Sequence, residues 1–377
     1  MKYFLFISYI TSQCIVPCYG FVPGCNVLKS SVTLSAKRSG AMSRKKGSNS
    51  NGASGFGGNK SPQSTSSQSD STLQARDIYS KPGLYDLAFG YRNYEDEVQF
   101  LLDVHEKHSK IESSEEKLNI LELAAGPARH SITALRDHSP LVDSCTAVDL
   151  CSNMVKYSCE IADEELGDKN VGGIRDHFHY VMGDMRNIGK SQSSGLRHGS
   201  FDNAWILLGS MQHLITNDDV IHCFSSTSLL LKEGGTLTIE LPHPRETFTM
   251  VECTRNGWEV PLDDENGNEY GELKIIWGDD DDNFDPIRQV RDFTVAMELM
   301  VNKDMKIDNT DLQSVREVVP LRLFTYQEID ALSRVAGFEV VELFGALSDE
   351  VDVNSEDEAF RLVCILRKVR NPFNIYE

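Results

Sequence analysis

The chain has 377 residues, 40% of them hydrophobic and 25% charged, with a formal net charge of −20. That apolar share supports a sizeable core, and the length fits one large domain or two ordinary ones. The acidic balance argues against nucleic acid or an anionic membrane as the main partner, since both are bound through Lys and Arg, and nine irregularly spaced cysteines are not a disulfide scaffold.

The charge is unevenly spread. Residues 1–74 hold eight Lys/Arg and the single acid Asp70, or +7, which leaves 29 basic and 56 acidic residues and −27 on the remainder. Residues 1–20 have the form of a secretory signal: Lys2, then an apolar stretch to Val16, then Cys18 and Gly20 as the small residues before a cut at Phe21. That stretch is too short and too polar to read as a membrane span. Residues 29–74 contain 14 serines and no helix or strand periodicity, which predicts disorder. A signal peptide followed at once by a basic, Ser-rich, acid-poor stretch (21–74) is a bipartite address. Its junction Tyr19-Gly20-Phe21-Val22-Pro23 resembles the signal of algae with secondarily acquired plastids. Plastid import is the expectation, with secretion or a signal anchor as alternatives.

From about residue 75 short apolar runs alternate with helical stretches. Leu118–Leu123 is followed by Gly126-Pro127 and a helix from Ala128. Cys145–Leu150 precedes a helix from Asn153, and Phe178–Met182 is a third run. Asp202–Leu208 leads to a helix through Leu231, and Thr236–Leu241 follows the turn Glu233-Gly234-Gly235. This rhythm predicts βαβ units and a parallel sheet covered on both faces. It breaks after Pro242-His243-Pro244. In Arg291–Leu299, Phe293, Val295, Met297 and Leu299 share one face, so residues 245–324 are expected to form a β-rich insertion. Thr325 with Glu328 makes a capping box, Gly337 ends that helix, and Phe338–Phe344 and Phe360–Leu366 are two closing strands.

Three stations of chemistry fall at the ends of the first three strands. The run Glu122-Leu123-Ala124-Ala125-Gly126 is a turn of small residues that lets backbone approach a ligand, ahead of a helix start that favours negative charge. Twenty-three residues after Gly126 comes Asp149, an acid able to accept two ribose hydroxyls. Gly183-Asp184-Met185 then offers an acid and an apolar side chain to an adenine.

At this point the sequence resembles class I S-adenosylmethionine-dependent methyltransferases, from about residue 78 to 370. The carriers are ELAAGPARH (122–130), AVDLCSNM (147–154), GDMRNI (183–188), FDNAWILLGSMQHL (201–214) and LLKEGGTLTIELPHPRETF (230–248). The last three resemble the small-molecule subgroup that includes amino-sugar N-methyltransferases. The resemblance implies a Rossmann-like sheet of seven strands, mostly parallel with the last antiparallel, and S-adenosyl-L-methionine as cofactor. It implies cofactor contacts from Glu122, Ala124, Gly126, Asp149, Leu150, Met154, Asp184, Met185 and Leu208, and an insertion that covers the acceptor site. Only Gly126 matches the usual glycines of the turn; Ala124 and Ala128 stand at the others. A nicotinamide-binding Rossmann protein is disfavoured, because G-x-G-x-x-G is not supplied.

His213 follows strand four and is the candidate base at the transferred methyl, the alternative being a histidine bonded to backbone at a helix start. Tyr85, Tyr91 and Arg92 lie in the segment that, in the resembling family, packs over the cofactor mouth; they are candidate contacts for the acceptor or the methionine carboxylate, or packing residues. Asp279–Asp282 lacks the spacing of a calcium loop and reads as a solvated turn. No Asn-Pro-Pro-Tyr-type segment follows strand four, which argues against methylation of base amines. No set of His, Cys and Asp has metal spacing, and no nucleophile elbow is present. The expected reaction moves a methyl group to an N or O nucleophile of a small molecule; the alternatives are a non-catalytic cofactor-binding protein on this fold and a protein methyltransferase.

Overall fold

The computed structural model describes residues 77–112, 116–169, 172–191, 194–245, 256–263, 269–301 and 314–373. The leader, and with it the expected signal and transit segments, lies outside them, as do parts of the expected insertion.

A 3-10 turn at Asp77–Ser80 opens the described chain and is followed by helices α1 (Pro82–Phe89) and α2 (Tyr94–His108). Helix α2 starts where the Asn93 side chain accepts the Asp96 amide. Glu95, Asp96 and Glu97 sit in its first turn and His105, Lys107 and His108 in its last, so both ends match the helix dipole. Its buried side chains Val98, Leu101, Leu102 and His105 recur at helical spacing and face the sheet.

The main sheet is built from β1 (Leu118–Leu123), β2 (Val142–Asp149), β3 (Phe178–Met182), β4 (Phe201–Ile206), β5 (Leu231–Pro242), β11 (Phe338–Phe344) and β12 (Arg361–Lys368). Its order is β11-β12-β5-β4-β1-β2-β3. Pairs β4–β1, β1–β2, β2–β3 and β4–β5 are parallel, and β12 runs antiparallel between β5 and β11. Helices α3 (Arg129–His138), α4 (Ser152–Leu166), α5 (Asn217–Leu230) and α6 (Tyr326–Val335) supply the crossovers. Because both faces are covered, β4 is buried along its whole length, with Trp205 fully enclosed. This is the Rossmann-like seven-stranded architecture with its final strand antiparallel that the resemblance implies.

The expected insertion is a second, antiparallel sheet of order β10-β9-β7-β6. It comprises β6 (Asn256–Asp263), β7 (Glu269–Trp277), β9 (Val290–Val301) and β10 (Val315–Arg322), with the short β8 (Phe284–Asp285) on β9. Phe293, Val295 and Met297 are buried as the alternation implies. Helix α1 joins the two sheets: the Trp258 indole N–H donates to the Ala88 carbonyl at 2.9 Å, and the Phe89 ring meets Trp258 and Trp277 edge-on.

One boundary differs from expectation. Strand β5 begins at Leu231, so Glu233-Gly234-Gly235 is a bulge inside the strand and not a turn before it; pairing steps from Phe201↔Leu231 to Asn203↔Thr236. Gly234 has φ +80, and a β-carbon there would lie 2.5 Å from the Lys110 carbonyl carbon, so the site requires glycine for both conformation and space. The Asp279–Asp282 run braces a turn, with the Asp282 carboxylate accepting from the Asp279 amide and from the amide and hydroxyl of Thr294. Among the described residues no helix is long and apolar enough to cross a membrane.

Candidate functional site

The carboxyl ends of β1, β2, β3 and β4 form one edge, and open α/β sheets bind ligands there. The turn after β1 is wound tightly: Ala124, Gly126 and Ala128 all have φ between 51° and 53°. Two of these are alanines, each carrying the steric cost of the left-handed region, about 1–2 kcal/mol per residue. The turn is held from two sides. The Gly126 amide donates to Asp149 Oδ2 at 2.9 Å, and the Tyr180 hydroxyl donates to the Gly126 carbonyl at 2.5 Å.

Asp149 ends β2, and its other oxygen accepts the Cys151 amide at 2.8 Å. Burial pushes its carboxyl pKa up, and the amides of Cys151, Gly126 and Leu150 oppose that shift. A carboxylate has about four lone-pair sites, so Asp149 keeps acceptor capacity at the edge after its bonds to backbone. Leu150 is half-buried beside it, and Met154 is enclosed in the first turn of α4.

Tyr85 reaches this turn from α1. A β-carbon at Gly126 would lie 3.8 Å from the Tyr85 ring, and the Tyr85 hydroxyl is held neutral by burial and by the nearby Asp149 charge. Tyr91 is placed elsewhere: it is 62% exposed, with its ring beside Trp258 of the second sheet. Arg92 is committed to carboxylates. Its guanidinium donates to Glu97 at 3.0 Å and to Glu240 at 3.2 Å, which makes it a buried strut beneath the edge.

Glu122 is likewise turned inward. Its Oε2 accepts the amide and hydroxyl of Ser131, and its Oε1 lies 3.7 Å from His130 Nδ1. The opposite ring nitrogen of His130 is 2.8 Å from Glu97. Burial disfavours protonation of His130, but hydrogen bonds and charge from Glu122 and Glu97 outweigh it and raise its pKa to about 9. Glu240, 1% exposed, accepts the Leu208 amide at 2.9 Å and pairs with Arg361 at 3.4 Å as well as with Arg92. Burial alone would raise its carboxyl; Arg92, Arg361 and the Leu208 amide hold it below the usual range. A single chain of charges, Arg361–Glu240–Arg92–Glu97–His130–Glu122, therefore underlies the edge, and it fixes the backbone at Leu208, which has φ 56.

Asp184 stands on the turn after β3, with Met185 buried next to it. Both Asp184 oxygens are bound by Arg186: Nε reaches Oδ2 at 2.9 Å and a terminal nitrogen reaches it at 2.7 Å, while the Arg186 amide donates to Oδ1 at 2.9 Å. Arg186 also reaches Asp219 at 2.8 Å at the start of α5. The Asp184 carboxylate thus has less acceptor capacity left than Asp149.

His213 lies on a 3-10 turn, Ser210–His213, after β4. Its Nε2 is 2.8 Å from the Tyr79 hydroxyl, with the two rings edge-on at 5.4 Å. The Tyr79 segment is gripped on several sides: Cys151 Sγ donates to the Tyr79 carbonyl at 3.3 Å, Asn153 to the Ser80 carbonyl at 3.0 Å, and the Ile78 amide to Glu317 of β10 at 3.2 Å.

No family model and no curated protein matches this sequence, but solved structures do match its fold. A methyltransferase of Clostridium acetobutylicum described as S-adenosylmethionine-dependent superposes with a TM-score of 0.54 at 15% identity, covering 77% of this chain and 99% of its own. The sugar N-methyltransferase KedS8 of Streptoalloteichus gives 0.52 at 16% identity, covering 83% and 100%. CalS10 of Micromonospora echinaspora, an amino pentose methyltransferase solved with S-adenosylmethionine bound, gives 0.50 at 16%, covering 79% and 99%. This chain has the methyltransferase fold.

Of the residues singled out from sequence, the structure gathers Ala124, Gly126, Asp149, Leu150, Tyr85 and Leu208 at one edge, with Met154 and Met185 in its floor. It sets Glu122 and Arg92 below that edge and Tyr91 outside it. Sequence reasoning missed Tyr79, Glu97, His130, Tyr180 and Glu240. Glu240 alone had a visible signal: an acid inside the apolar run TLTIEL, the same cue that marked Asp149.

Proposed function

We propose that the chain is a methyltransferase that uses S-adenosyl-L-methionine to methylate an N or O nucleophile of a small molecule. The observation that carries this reading is Asp149: a half-buried carboxylate at the end of β2, bonded to the left-handed turn and still able to accept hydroxyls. Asp149 would hold the ribose, Met154 and Met185 would flank the adenine, and the turn Ala124–Gly126 would lie along the methionine part beneath Tyr85. When bound, this cofactor supplies a methyl group on a positively charged sulfur, already a good electrophile. What the chain itself must then do is align the acceptor and exclude water. Helix α1 and the 3-10 turn at Asp77–Ser80 close over the edge and serve the second task. His213, held by Tyr79, would take a proton from the acceptor. The similarity to KedS8 and CalS10 favours an amine on a sugar-like acceptor, with the second sheet covering it. The leader supports delivery of the enzyme to a plastid.

The test is transfer of a labelled methyl by the purified protein to extracts, with label followed in small molecules and macromolecules separately. Label in small molecules supports the proposal. Label confined to protein would make this a protein methyltransferase, and saturable cofactor binding with no transfer would make it a non-catalytic binder. No binding at all would remove the reading. A fusion of residues 1–74 to a fluorescent protein tests the address independently, with secretion as the result that overturns it.

A further inference from the structure

The amino ends of β4 and β5, about 20 Å from the carboxyl edge at 3.3 Å per residue, border a second cavity. Its volume is about 820 Å³, which falls within the range of small-molecule sites. The chain around it is strongly acidic, yet the lining carries Lys190, Lys232, Lys368, His198 and His222 against one carboxylate, Glu233. Lys368 is the unusual member. It is 4% exposed at the end of β12, and its ammonium donates to the Leu231 carbonyl at 2.8 Å with no carboxylate of the described residues in bonding distance. Burial lowers its pKa, and Glu233 opposes this only through its field. A buried ammonium satisfied by one carbonyl retains two donors. Lys190 is exposed on the rim and pairs with no carboxylate among the described residues, whereas Lys232 is tied to Asp202 at 2.8 Å. Ile221 and Leu229 of α5 and Phe373, which is 61% exposed, give the wall an apolar part, and Ser225 and Asn371 add polar groups.

We infer that this cavity is a second ligand site, for a phosphorylated small molecule whose phosphate meets Lys368 and Lys190 and whose planar or apolar body lies against Ile221 and Phe373. Lysine suits phosphate as a compact charge with several donors. The inference is independent of the methyltransferase reading, because the cavity lies on the opposite edge of the sheet and shares no residue with that site. The site still has a structural link to the other edge. The turn carrying Asp184 runs directly into Gly189 and Lys190, and it is pinned there by the Gly189 amide to Ser226 at 2.6 Å and by the Gly189 carbonyl to His198 at 2.7 Å.

The probe is phenyl phosphate, titrated calorimetrically into the full chain at low ionic strength, with phenol as the uncharged control. The expected result is saturable binding of phenyl phosphate, none of phenol, and no change when S-adenosylmethionine is present in excess. Lys368→Met keeps the side-chain volume and removes the charge, and it should weaken binding about tenfold or more, as loss of a charged hydrogen bond does. Lys190→Glu, on the surface, should weaken it as well and serves as the test if Lys368→Met fails to fold. Absence of saturable binding, unchanged affinity in Lys190→Glu, or displacement by S-adenosylmethionine would each overturn the inference.

Discussion

The Tyr79 hydroxyl stands 2.8 Å from Nε2 of His213, joining residues 134 positions apart in sequence. The contact couples the segment that closes the site to the one imidazole that the strand-four turn presents there. It leads to the first prediction. His213→Asn should lower the methyl-transfer rate by about 10²-fold or more if His213 takes the acceptor's proton, and Tyr79→Phe should lower it less. Cofactor affinity should stay near wild type in both, because neither residue is placed on the ribose or adenine. Initial rates as a function of pH, with cofactor binding measured separately, check this. Equal rates in His213→Asn and wild type would leave alignment alone as the source of catalysis.

Asp149→Ala should weaken S-adenosylmethionine by between about 10- and 100-fold, the cost of removing hydrogen bonds to a charged acceptor. It also removes the brace on the Gly126 amide, so a modest fall in melting temperature should accompany it. Calorimetric titration beside a thermal melt separates the two effects.

The turn after β1 should be more stable with glycine where alanine is strained. Ala124 has φ 51 and is only half-buried. Ala124→Gly relieves about 1–2 kcal/mol of left-handed strain and loses about 0.4–1 kcal/mol through the freer unfolded chain. The net is a gain of between nil and about 1.6 kcal/mol. Ala124→Val should be clearly destabilising. Denaturant midpoints report the order directly.

Truncating Glu240 to Ala should destabilise the fold by about 3–5 kcal/mol, since Arg92 would keep only Glu97 while Arg361 and the Leu208 amide would lose their buried acceptor. Arg92→Met combined with Glu240→Ala should cost less than the two single changes added together. Chemical unfolding of the two single variants and the double variant makes the cycle; strict additivity would mean that the pair is not coupled.

Two buried histidines set opposite flanks of the pH–stability curve. The pKa of His130 is raised to about 9, so its contribution is whole below the unfolded value near 6.5 and is lost as pH climbs through 9. His105 is driven down to about 4 by burial, with Thr236 bonded to it at 2.7 Å. Its contribution is whole above 6.5 and is lost as pH falls toward 4. Stability from this pair should therefore peak near pH 6.5. His130→Gln should flatten the alkaline limb and His105→Gln the acid one, as measured by denaturant unfolding across pH.

Much of the scaffold was legible because its cause is local. An apolar run such as Phe178–Met182 needs no partner to be recognised as a buried strand, and Thr325 with Glu328 states a helix start within four residues. Asp149 stood out for the same reason, as an acid at the end of an apolar strand, and in the fold it accepts the Gly126 and Cys151 amides. What escaped is non-local. Arg92 looked like a free cation at the mouth; only folding brings it to Glu240, 148 residues away, and turns it into a strut. Asp184 was legible as a station, but not the claim that Arg186 makes on it, because a two-residue spacing does not say which way a long side chain folds. Strand β5 was read short for a related reason. Two glycines look like a turn until the Lys110 backbone, over a hundred residues earlier, is found pressed against one of them.

The grip on Asp77–Ser80 has a consequence for maturation. Those four residues touch α4, the strand-four turn and the second sheet, so a protease that trimmed past Ser80 would remove the partner of His213 and the Ile78 bond to Glu317. The fold thereby sets a limit on processing. If the basic leader is removed, the cut has to fall before Asp77, and a chain beginning beyond Ser80 would lack the hydroxyl that bonds His213.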